Sequence, residues 1–128
     1  MELADGDRGV VFYKVTCPTC QTAAPAIERL HQAAPERVTV IGQDPAEQLE
    51  EFGRRFGASF PAISDAPPYT VSEAYGVRTV PTLFVIRGGR VAEVVESWDR
   101  DGWNRASAGL AGGPLSVEGD GLPPFRPG

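Results

Sequence analysis

Val10-Val11-Phe12-Tyr13-Lys14-Val15-Thr16-Cys17-Pro18-Thr19-Cys20 runs from an apolar stretch directly into a cysteine pair. Residues 10–15 are nearly all branched, aromatic or apolar, which predicts a central strand covered on both faces. From Pro18 to about Ala34 the pattern turns helical, with Ala23, Ile27, Leu30 and Ala34 on one stripe. Pro18 suits a first helical turn, where its missing N–H is no loss. Pro25 lies inside the helix and should kink it near Gln21. The only two cysteines of the 128 residues therefore stand at a strand-to-helix junction, an arrangement that points to thiol–disulfide exchange.

Working outward, Arg37 to Ile41 reads as a second strand and closes a right-handed, parallel βαβ unit. Asp44-Pro45 opens a helix with Asp44 as N-cap, Pro45 at N1 and Glu47 as capping-box partner. Leu49, Phe52 and Phe56 form its apolar stripe, and Gly57 stops it. Phe60 to Ile63 is a short extended segment, Ala66-Pro67-Pro68-Tyr69 a rigid loop, and Ser72 to Tyr75 one helical turn before Gly76. Thr82 to Ile86 is a third strand, and Gly88-Gly89 turns it back into Val91 to Glu96. Asp99 caps a last helix whose Trp103, Ala106 and Leu110 face the core. The expected architecture is α/β, a four-stranded mixed central sheet flanked by helices, in residues 1–111. Its strand order is 37–41, 10–15, 82–86, 91–96. Gly and Pro dominate residues 112–128, which predicts a poorly ordered or surface-draped tail on which Leu115, Val117, Leu122 and Phe125 could still dock.

Composition narrows the partners. The formal net charge is −5, which disfavours nucleic acid and anionic membrane surfaces. No apolar run approaches the roughly 18 residues of a membrane span. The few residues before the first strand hold Asp5, Asp7 and Arg8 and no signal-peptide core. The chain as it stands therefore reads as cytoplasmic, or as periplasmic or membrane-anchored if a leader has been trimmed. Two cysteines cannot build a four-cysteine zinc site, and His31, the single histidine, reads as a surface helix residue. No cofactor or metal is called for.

Two motifs carry a resemblance. Cys17-Pro18-Thr19-Cys20 followed by Pro25 resembles the active-site helix of the thioredoxin superfamily. Gly76-Val77-Arg78-Thr79-Val80-Pro81-Thr82-Leu83-Phe84 resembles that superfamily's second signature, in which a cis proline faces the cysteines. The likeness covers roughly residues 10–111. Phe60-Pro61, Asp65 and the intervening helix lean toward its redoxin branch, which includes thiol-disulfide reductases of the TlpA type. The resemblance implies a thioredoxin-like fold and a thiol-disulfide oxidoreductase. Cys17 would be the nucleophile and Cys20 the resolving thiol, with Thr16, Pro18, Thr19, Val80 and Pro81 lining the substrate site. Its partners would be protein or small-thiol disulfides and a thiol electron donor such as a reductase, served by a monomer.

Three departures mark the chain. Thr16 stands where thioredoxin carries Trp, and Val11 where it carries a buried acid, leaving Asp44 or Glu73 as replacements. Val10 and Lys14 stand where the peroxiredoxin signature has Pro and Thr, which disfavours peroxidase chemistry. Two other readings stay open: a non-catalytic binding module using the Val80-Pro81 groove, and a redox sensor whose cysteine state switches the tail. Pro81 alone would pass for a strand-start proline. An inert structural disulfide is the weaker reading of the cysteines, because a three-residue spacing closes almost no loop.

Overall fold

A computed structural model describes residues 6–128; residues 1–5, where the expected 1–111 unit begins, lie outside it. The strands are β1 (Arg8–Tyr13), β2 (Val38–Gly42), β3 (Ala62–Ser64), β4 (Thr82–Arg87) and β5 (Arg90–Glu96). They form one mixed sheet in the order β3-β2-β1-β4-β5. β1 pairs with β2, and β2 with β3, in parallel; β4 is antiparallel to both β1 and β5. The expected four-strand order is present, with β3 added at the edge beside β2.

Alternation along β1 divides the core. Val11 and Tyr13 face α1 (Pro18–Ala33), whose Ala23, Ile27 and Leu30 are fully buried. Val10 and Phe12 face the other way, toward Phe84 of β4 and Tyr75 of α3 (Thr70–Tyr75). Burial on both faces accounts for the near-continuous apolar run. Phe12, Tyr75 and Phe84 pack edge to face or tilted, with ring centroids 5.2–5.6 Å apart. The β4–β5 turn uses Gly88 and Gly89 at φ 62° and 78°, the positive pair a tight two-residue hairpin requires.

α2 (Ala46–Phe56) starts differently from the expectation. Pro45 occupies the N-cap position and no side chain caps the helix. The Asp44 carboxylate turns inward instead and accepts from the Val15 N–H at 2.8 Å, which removes it from the helix end. β1 ends at Tyr13 rather than Val15, so Lys14, Val15 and Thr16 form the loop into α1.

Asp65 holds the entry to α3. It is buried and accepts from Val71 N–H (3.0 Å), Ser72 N–H (2.7 Å) and the Ser72 hydroxyl (2.6 Å). Burial pushes its pKa up, but these donors outweigh burial and hold it below the usual carboxylate value. Stability from a depressed carboxylate is present above the unfolded pKa of roughly 4 and disappears as pH falls through the folded value. Asp65→Ala leaves those buried donors unpaired and is expected to cost about 1–3 kcal/mol at pH 7. Urea titrations of the two forms at pH 7 and at pH 3 check this: the gap between them should shrink at the acidic pH.

The last helical stretch is two elements, α4 (Arg100–Ala106) and α5 (Ala108–Ala111), joined at Ser107. Trp103, Ala106 and Leu110 are buried as expected. Beyond Gly112 the chain packs on the body. Leu115 and Ser116 are buried and Leu122 is partly buried, whereas Val117 and Phe125 are exposed. The Asn104 side chain accepts from Leu115 N–H and donates to Ser116 O, each at 2.8 Å. Arg29 and Arg100 reach the carbonyls of Leu115 and Leu122 at 2.6 and 2.7 Å. Finally β7 (Phe125–Arg126) pairs antiparallel with β6 (Trp98–Asp99).

Candidate active site

Cys17 is the N-cap of α1, at the carboxyl end of β1. Its backbone is extended and its sulfur accepts from the Cys20 N–H at 3.2 Å, so the thiol supplies the acceptor that a helix N-terminus lacks. Its thiol also donates to the Val80 carbonyl at 3.5 Å. Both cysteines are free; Cys17 is half-buried and Cys20 is fully buried.

The two sulfurs are driven apart in acidity. The Cys17 thiol is lowered to about 6, chiefly by the Cys20 thiol donating to it. Burial opposes that, and the Cys20 and Thr19 N–H groups and the charge of Arg126 add to it. Burial pushes Cys20 far up, and its hydrogen bond to Cys17 and the negative charges of Cys17 and Asp44 push the same way.

Facing the pair is the segment ahead of β4. Val80-Pro81 is cis and half-buried to buried; Thr79 O accepts from the Thr82 hydroxyl at 2.6 Å, and Pro81 O from Ser97 N–H at 2.8 Å. Of the residues singled out in the sequence, Cys17, Cys20, Thr19, Val80 and Pro81 converge here. Thr16 and Pro18 are exposed on the rim.

Asp44 lies beneath the site, buried, with Lys14 Nζ 3.7 Å from its carboxylate. Its charge reaches both Cys20 and Tyr13, whose hydroxyl is pushed above its ordinary value mainly by burial. Glu73, the other acid considered, is exposed. Lys14 reaches Asp44 and Tyr69, with Nζ 3.7 Å from the Asp44 carboxylate and 3.3 Å from the Tyr69 hydroxyl. Beside the Val80 wall opens a cleft of about 350 Å³, lined by Lys14, Gln43, Tyr69, Glu73, Arg78 and Val80 among others. Arg126 and Ser97 had no signal in the sequence; the pairing of β7 with β6 brings Arg126 to the site. Among the described residues no cluster of three or more His, Cys, Asp or Glu side chains could hold a metal ion, and no helix is long and apolar enough to cross a membrane.

Comparison with known proteins bears on the fold and the family. Thiol-disulfide oxidoreductase ResA of Halalkalibacterium halodurans is 29% identical over 101 residues, covering 68% of this chain and 57% of that protein. A thioredoxin of Rhodospirillum rubrum is 34% identical over 89 residues, covering 70% of this chain and 66% of that one. The chain thus spans 51% to 70% of the length of the curated relatives it matches, and little more than half of the ResA proteins among them. The solved structure of MTB dsbF in its mixed oxidized and reduced forms superposes with a TM-score of 0.67 at 23% identity, over 83% of this chain and 81% of that one. A thioredoxin-family thiol:disulfide interchange protein from Chlorobium tepidum TLS gives 0.65 at 19%, over 85% and 82%. These two likenesses carry the fold alone. The AhpC/TSA family model matches residues 2–94, and the chain accordingly belongs to that family, in the TlpA/ResA-type branch of the thioredoxin superfamily.

Proposed function

We propose that the chain is a thiol-disulfide oxidoreductase in which Cys17 attacks and Cys20 resolves, reducing protein or small-thiol disulfides. The observation that carries this reading is the placing of the two sulfurs one helical turn apart: Cys17 half-buried at the start of α1, accepting the Cys20 N–H at 3.2 Å and facing the Val80 carbonyl, and Cys20 fully buried behind it, which lowers the Cys17 pKa and raises that of Cys20. The thiolate is the attacking species, so only Cys17 is armed at neutral pH.

The Cys17 thiolate attacks one sulfur of a substrate disulfide; that S–S bond breaks, a mixed disulfide forms, and the first substrate thiolate leaves and takes a proton from solvent. Cys20 then loses its proton, attacks the Cys17 sulfur, and releases the second substrate thiol, leaving a Cys17–Cys20 disulfide. A thiol donor returns the pair to the dithiol. Both sulfurs come from one chain, so a monomer suffices. The departing Cys20 proton needs an acceptor, and Asp44 is the buried carboxylate whose charge reaches Cys20. Asp44→Asn is expected to slow resolution by on the order of 10²-fold while leaving Cys17 alkylation nearly unchanged. Rapid-quench measurement of mixed-disulfide decay separates those steps; equal decay rates would remove Asp44 from the mechanism.

Thr16, Pro18, Thr19, Val80 and Pro81 would line the substrate site, with the Val80 backbone offered to an extended segment. The reading is tested by turnover of a small-molecule disulfide and of insulin disulfides with a thiol donor supplied. Multiple turnovers of either support it, and none with both would leave the fold without this activity. The peroxidase reading has no support from Val10 and Lys14.

A further inference from the structure

We propose that residues 125–128 form a strap over the Cys17 site that selects disulfides by size, passing small ones and admitting a polypeptide disulfide only when it lifts. This rests on the exchange reading above and adds to it a determinant of specificity.

Thr19, between the cysteines on the first turn of α1, is only 3% exposed, and its hydroxyl donates to Pro127 O. Arg126 donates to the Thr22 hydroxyl at 3.0 Å, one turn further along the same helix. Gly128 N–H donates to the Ser97 hydroxyl at 3.0 Å. Gly128 also lies so close to the Val80 carbonyl and the Thr79 hydroxyl that a Cβ there would collide with both. That carbonyl is the one the Cys17 thiol meets. The strap therefore touches both walls of the site, the helix start and the Val80 segment.

Root and tip are held unequally. The root is fixed: Trp98 Nε1 donates to Pro123 O at 2.7 Å, Arg100 N–H to Pro124 O at 3.0 Å, and Leu115 is buried. The tip has a two-residue ladder with β6 and a few hydrogen bonds, and all four of its residues are exposed. With no buried apolar anchor, such a segment belongs to the low-stability end of a fold and opens without global unfolding.

The strap also carries Arg126, whose charge helps ionise Cys17. Removing it slows every reagent a little through lost thiolate, so the readout must be a ratio. The test compares the full chain with a form ending at Pro124. Cys17 is alkylated by N-ethylmaleimide and by the same maleimide coupled to a folded carrier protein. The carrier-to-small rate ratio is expected to rise about fivefold to tenfold on truncation, as the fraction of open site rises. Gly128→Val, which pushes residue 128 off Val80 in the untruncated chain, should raise the same ratio in the same direction. An unchanged ratio in both variants, with intact far-UV circular dichroism, would overturn the strap. A raised ratio without turnover of any disulfide would keep the strap and discard the exchange reading. Turnover with an unchanged ratio would do the reverse.

Discussion

Cys17→Ser is expected to abolish disulfide turnover, with a loss on the order of 10³-fold or more. The serine hydroxyl keeps the size and the N-cap acceptor, so α1 should still start at Pro18. It cannot form the thiolate that attacks sulfur. The buried Cys20 is no substitute, because its pKa is driven up by burial and its sulfur is shielded from substrate. Cys20→Ser should behave differently. Its Cys17 still attacks, no resolving thiol follows, and a substrate adduct accumulates on Cys17. The serine hydroxyl can still donate to the Cys17 sulfur, and the backbone N–H of residue 20 is untouched, so the Cys17 thiolate stays available to attack in this variant. Mass spectrometry after mixing with a substrate disulfide checks both variants. An adduct on Cys17→Ser, or none on Cys20→Ser, would reverse the assignment.

The second large effect is on the fold. Trp103 is fully buried, packs tilted against Trp98 with ring centroids 5.3 Å apart, and donates its indole N–H to Ser97 O at 2.9 Å. Trp103→Ala empties a large part of the core beneath β5 and leaves the Ser97 carbonyl unpaired. The expected cost is about 3–5 kcal/mol, a large share of a domain stability of roughly 5–15 kcal/mol. Trp103→Phe keeps most of the buried area and loses the hydrogen bond, so it should cost about half as much or less. Ser97 sits at a positive φ of 71° and connects β5 to β6, so the loss should also loosen the seat of residues 125–128. Chemical denaturation followed by fluorescence of the remaining Trp98 measures the cost. A Trp103→Ala chain as stable as the parent would show that this part of the core is not as packed as described.

Most of the sheet could be read from the sequence because burial on each strand face imposes an apolar pattern. Val10 to Tyr13 and Thr82 to Ile86 show it as near-continuous runs. β3 was legible only as the short extended segment Phe60 to Ile63; its place in the sheet was not, since the strand is three residues long and exposes Ile63, so its pattern carries no amphipathic signal. Asp44 satisfied every rule for a helix cap, yet a tertiary partner, the Val15 N–H, competed for its carboxylate and won. The segment after Gly112 was legible only as Gly/Pro-rich composition. What fixes it is side chains of the body, Arg29, Trp98, Arg100 and Asn104, bonded to its backbone carbonyls. Carbonyl acceptors are the same in every residue, so no pattern of side chains announces them. For the same reason the two cysteines and Val80-Pro81 were readable as motifs, whereas the approach of Arg126 and Ser97 was not.

The pH dependence of alkylation, measured separately for Cys17 and Cys20 in the reduced chain, tests the division of labour between the two thiols most directly. Cys17 is expected to react through a midpoint near 6. Its rate should fall as pH drops below that value, because the thiol form cannot attack. Cys20 should react far more slowly throughout the neutral range. A Cys17 midpoint at the free-thiol value of about 8.5, or a Cys20 that reacts faster than Cys17, would contradict the assignment of Cys17 as the attacking thiol.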